Sequence, residues 1–162
     1  MIIRSTSFLP VRDFKIHEAG HYVLGVGMGL PMNVPEVFRN GTGGRTTLDQ
    51  PALQASSAGV VPEDIPDDQL KWAVTRMGAV LLAGCAAEAI AANVDTSCII
   101  GSRTEDLRQA VECIRKVGQS DLLLQDAWRL AVKMLHHAWP LVLEIAQDIP
   151  TTDGTHRPVQ FH

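Results

Sequence analysis

Little in this sequence marks a cross-linked, secreted or membrane-spanning chain. Its three cysteines, Cys85, Cys98 and Cys113, contain no C-x-x-C pair. An odd count without that spacing argues against a disulfide scaffold. No secretory signal is visible, because Met1-Ile2-Ile3-Arg4 is too short to be a signal's apolar region. A reducing, cytoplasmic setting is the resulting expectation. The longest uncharged apolar run, Met77 to Ala87, is broken by Glu88. It falls well short of the ~20 residues that span a bilayer, so no membrane insertion is expected. A cationic stripe is missing too. The net charge is -4 and the basic residues are mixed with acids, which argues against a nucleic-acid binder. There is no internal repeat and no low-complexity tract. The glycine cluster Gly41-Thr42-Gly43-Gly44 lacks the following G-K-[ST] of a phosphate loop.

What is present is a globular composition. With 162 residues, 46% hydrophobic and 20% charged, the chain is long enough for one domain with a core. We place that domain at residues 1–150, with a polar tail at 151–162. The strongest signal is His17-Glu18-Ala19-Gly20-His21, an H-E-x-x-H pattern. On a helix its two imidazoles lie one turn apart on one face and can grip a zinc ion. Glu18 then stands beside the metal, able to take a proton from a bound water. The competing reading is a chance match inside an ordinary amphipathic helix.

The periodicity predicts a helix from Pro10 or Asp13 to about Met28, with Asp13 as its cap. Gly20, Gly25 and Gly27 weaken that helix and hint at a crossing helix or a crowded site. Short strands are expected at 33–38 and 45–48, then a long loop at 49–68 with a helical turn near 52–58. A second helix should run from Asp67 or Asp68 to about Asn93. Ser102 and Glu105 fit a capping box for a third helix at 103–118. A fourth should follow from Ser120-Asp121 to Ala138, and Pro140 should kink it or start a fifth at 140–148. Of the adjacent His136 and His137, one is expected half-exposed and one packed. The fold expected is mainly helical (α+β), with a two- or three-stranded sheet beside the motif helix.

A catalytic zinc takes three protein ligands and keeps an open position. Beyond His17 and His21, the third could be Glu88, Asp95, Asp106 or a later histidine. Chemistry alone gives a weak preference for Asp106 or Glu88, which both lie on predicted helices beside an apolar face. Glu88 can equally be a solvent-facing glutamate, and Asp106 a first-turn acid favoured by the helix dipole.

The chain resembles the zinc-dependent peptidase domain of the FtsH-like, ATP-dependent membrane proteases, the peptidase M41 family. The resemblance rests on His17-Glu18-Ala19-Gly20-His21, on Gly43-Gly44-Arg45-Thr46-Thr47, on Leu82-Ala83-Gly84-Cys85-Ala86-Ala87-Glu88, and on Thr96 to Leu107. The family patterns in the last two stretches are roughly L-G-G-R-A-A-E-E and T-T-G-A-x-N-D-L. Glu105-Asp106-Leu107 corresponds to N-D-L, so the resemblance implies Asp106 as third ligand and Glu88 as a supporting carboxylate. Cys85 and Ala89 depart from the family's arginine and second glutamate, and no Walker motif or ATPase module is seen.

The resemblance implies a zincin-like zinc metalloendopeptidase. Zinc on His17, His21 and Asp106 would carry the water, and Glu18 would be the general base. A flexible or unfolded peptide would pair with Gly44, Arg45, Thr46, Thr47 and Leu48 by strand addition. The sidechains of Thr46 and Thr47 need no chemical role in that reading. It leaves open a homo-oligomer or a separate ATPase partner. The alternative is a non-catalytic metal-binding or regulatory module that keeps the fold.

Overall fold

The computed structural model describes residues 13–59, 62–94 and 104–154. Helix α1 spans Phe14–Gly27, and the Asp13 carboxylate caps it by accepting from the Ile16 N–H at 3.1 Å. Helix α2 spans Gln50–Ser57 and is capped by Asp49, which accepts from the Ala52 N–H. A short 3-10 turn follows at Pro62–Asp64. The loop expected at 49–68 is therefore more structured than its prolines suggested. Pro51 sits in the first turn of α2, where a missing N–H costs nothing.

Helix α3, Asp67–Ala92, is the axis of the molecule. It ends where Asn93 turns left-handed, at φ 50°. Helices α4 (Thr104–Lys116), α5 (Leu123–His137) and α6 (Trp139–Asp148) follow among the described residues. α3 packs against α1, α4 and α5, and α6 closes over α1. The shared core includes Leu24, Leu82, Ile114, Leu135 and Val142, each at most 2% exposed. Small residues let the helices meet. A Cβ at Gly20 would lie 2.7 Å from the Ala83 carbonyl oxygen, so this glycine marks the α1–α3 crossing.

α3 has 26 residues, and its length and composition would suffice to cross a membrane, with 67% of its apolar window buried inside the fold. The sequence expectation counted only the uncharged run. Trp72 on this helix is 63% exposed, and the Arg76 guanidinium lies over its ring at 4.1 Å.

Strands β1 (Glu36–Phe38), β2 (Gly44–Arg45) and β3 (Thr151–Thr152) form a small sheet in the order β2-β1-β3. β2 is antiparallel to β1, with Glu36 opposite Arg45, and β3 is parallel to it, with Val37 opposite Thr151. β3 lies in the segment expected to be a loose tail. Its backbone is claimed by β1, since the Val37 N–H donates to the Pro150 carbonyl and the Arg39 N–H to that of Thr152. His136 and His137 are both exposed at the end of α5, which corrects the expectation that one is packed. Asp95, Cys98, Ser102, His156 and His162 lie outside the described residues.

Candidate metal centre

The i, i+4 spacing on α1 sets the His17 and His21 rings edge to face, with centroids 4.8 Å apart. α3 fixes both rings from behind. His21 Nδ1 donates to the Val80 carbonyl at 2.7 Å. A carbonyl only accepts, so Nδ1 carries a hydrogen and Nε2 is the nitrogen left to face forward. His17 Nδ1 meets Glu88 Oε1 at 2.5 Å, with both side chains buried. Carboxylate and carbonyl partners of this kind orient metal-binding histidines.

The two Nε2 atoms face each other at 3.1 Å. Asp106, in the first turn of α4, brings Oδ2 to 3.1 Å from His17 Nε2 and 3.5 Å from His21 Nε2. Cys85 of α3 adds a thiol, which donates to Asp106 Oδ2 at 3.3 Å. Donor atoms of His17, Cys85 and Asp106 all lie within 4.8 Å of one another, a group able to hold a metal ion. Converging lone pairs and a carboxylate in a buried place are unfavourable unless a positive charge sits among them.

The titration behaviour agrees. Burial disfavours charge on His17, but its hydrogen bonds to Asp106 and Glu88 outweigh that and raise its pKa to about 9. Burial likewise opposes the charge on His21, and the Asp106 carboxylate overcomes it to raise the pKa. For Asp106, burial pushes upward, yet the charge on His21 and hydrogen bonds to both histidines hold it well below the usual carboxylate range.

Glu18 belongs to a different contact. It is buried at 6% exposure, and its Oε2 accepts from Thr46 Oγ1 at 2.7 Å. Thr46 Oγ1 also lies 3.1 Å from the Glu18 carbonyl. A Cβ at Gly44 would meet the Glu18 side chain at 2.6 Å, so only glycine lets the strand pass here. The Thr46 hydroxyl thus holds the Glu18 carboxylate beside the strand.

The residues read as a peptide-pairing strand make contacts within the chain, and β2 is an edge of the sheet. Arg45 pairs with Glu36. Thr47 Oγ1 and the Leu48 carbonyl accept from the Asn33 side chain, and the Thr47 carbonyl accepts from the Asn33 N–H. Leu48 also bridges to Met32.

Sequence reasoning missed Cys85 as a donor, having read it as a departure from the family's arginine. A thiol beside Gly84 on a helix of small residues, three positions before a buried acid, was the available signal.

A scan of family models gives no match, and comparisons with curated proteins and with solved structures give none either. The resemblance to the M41 peptidases is corrected by the donor set. The metal-capable group is His17, Cys85 and Asp106, and its thiol has no place in the ligand set that the resemblance implied. The zincin identity and the peptidase mechanism fall with it, and Glu18 accepts from the hydroxyl of Thr46, the residue after β2. What stands is a mainly helical protein with a metal-binding-capable cluster among α1, α3 and α4.

Proposed function

We propose that this chain is a non-catalytic metal-binding module. Its ion is held by His17, Cys85 and Asp106, with His21 as a fourth donor. The observation that carries this reading is the convergence of a His17 ring nitrogen, Cys85 Sγ and an Asp106 oxygen within 4.8 Å. A structural site is one in which the protein supplies every ligand, whereas a catalytic site keeps a position for water. Two imidazoles, a thiolate and a carboxylate make four. The mixture of nitrogen, sulfur and oxygen donors suits zinc. Zinc would supply charge neutralisation and a cross-link among α1, α3 and α4, with no redox chemistry. Glu88 would hold His17 in the ligating tautomer.

The test is metal analysis of the purified chain, followed by exchange of the ion for cobalt. One ion per chain is expected, with a thiolate-to-cobalt absorption band that disappears in Cys85→Ser. A chain that retains no metal, or a cobalt spectrum indifferent to Cys85→Ser, overturns the assignment. Cleavage of an unfolded peptide by the zinc-loaded chain, abolished in Glu18→Gln, overturns its non-catalytic part.

A further inference from the structure

Three positions of α3 face the two histidines at intervals of four: Val80, Gly84 and Glu88. This spacing puts them on one face of the helix. The outer two hold the imidazoles, Val80 by its carbonyl on His21 and Glu88 by its carboxylate on His17. Between them, a Cβ at Gly84 would lie 2.5 Å from the Nε2 atoms of both His17 and His21 and from His17 Cε1. Neither ring is free to retreat, because each is tethered by its Nδ1 atom. The single added carbon would therefore occupy space at the two nitrogens that are to bind the ion.

We infer that Gly84 is the gauge of the metal centre. Its missing side chain is what admits the ion to the paired imidazoles, and it is the position that decides whether the site can be loaded. This rests on the metal-binding reading above and adds a residue that donates nothing to the ion. Backbone freedom is not the reason for this glycine. It sits inside a regular helix, where alanine is the better helix former. A helix glycine that is costly in propensity needs a steric reason, and the two imidazoles supply it.

The experiment compares the full chain with Gly84→Ala and Gly78→Ala, by metal stoichiometry, by competition against a chromogenic zinc chelator, and by urea unfolding in EDTA. Gly78 is the control, a glycine of the same helix whose Cβ would meet Ala127 Cβ at 3.1 Å, remote from the imidazoles. Gly84→Ala should keep its helical signal and lose zinc affinity by more than about 100-fold, beyond the 10–100-fold typical of an outer-shell change. Gly78→Ala should bind as the parent does. Gly84→Ala binding zinc like the parent overturns the inference.

Failure of the parent to bind zinc is a separate result, and it removes the function proposed above. The steric claim is then read in EDTA from Gly84→Ala made in a chain carrying His17→Ala and His21→Ala. There the penalty on the urea midpoint should vanish, because the rings it collides with are gone. The same background serves if Gly84→Ala alone does not fold. A penalty that persists without both rings overturns the inference.

Discussion

His17 and Glu88 stand 71 positions apart in the chain, yet Nδ1 of one lies 2.5 Å from Oε1 of the other. Both are buried, and the pair joins α1 to α3 directly behind the metal-capable cluster. Its consequence is a fixed imidazole. Glu88→Ala should lower zinc affinity 10–100-fold, and Glu88→Gln less, since the amide oxygen still accepts from Nδ1. Chelator competition on the three proteins checks the order. Equal affinities would show that Glu88 does not orient the ring.

The ion should act as a cross-link on folding. Binding only to the folded chain adds about 2.7 kcal/mol at a free concentration 100 times Kd. EDTA should therefore lower the thermal midpoint by several degrees, and added zinc should restore it. A scan with and without chelator reads this directly. An unchanged midpoint would mean that the ion does not tie α4 to the other two helices.

Without metal, stability should follow the charges at the cluster. The pKa of His17 is raised from 6.5 to about 9. Its contribution is full below 6.5 and is lost as pH rises through 9. The pKa of Asp106 is lowered from 3.8, so its contribution is present above that value and is lost as pH falls toward the lower folded value. In EDTA the urea midpoint should be highest between about pH 4 and 6.5 and should fall toward pH 9. With zinc the trend at the basic end should flatten or reverse, because protons compete with the ion. A metal-free midpoint that rises toward pH 9 would contradict the charge arrangement.

Thr46 is expected to matter through Glu18. Thr46→Val removes the hydroxyl 2.7 Å from the Glu18 carboxylate and leaves that buried group short of a donor. The cost should be about 1.5–3 kcal/mol by urea unfolding, with metal stoichiometry unchanged. Loss of metal in this variant would instead place Glu18 within the metal centre.

Gly20→Ala tests the helix crossing. The new Cβ would meet both the Ala83 carbonyl and Ala87 Cβ at 2.7 Å. Backbone cannot yield cheaply, so a loss of about 1–3 kcal/mol is expected despite alanine's better propensity. A stabilised variant would show that α1 and α3 can move apart.

The local elements were largely legible because their causes are local. Asp13 caps α1 through an N–H three residues away, and Asn93 ends α3 by its own left-handed turn. β3 was not legible, since a two-residue strand owes its existence to β1 and not to its own composition.

The four-residue spacing of His17 and His21 by itself determined that two imidazoles share a face, because helix pitch is set by the backbone. Only the tertiary structure decided what surrounds them. Cys85 reaches Asp106 across 21 positions, and Glu18 turns to Thr46 across 28. Contacts between separate elements depend on how packed helices and strands are placed, which no short motif encodes. The same pentapeptide therefore fits a hydrolase or a closed metal site, according to the side chains that other elements carry to it.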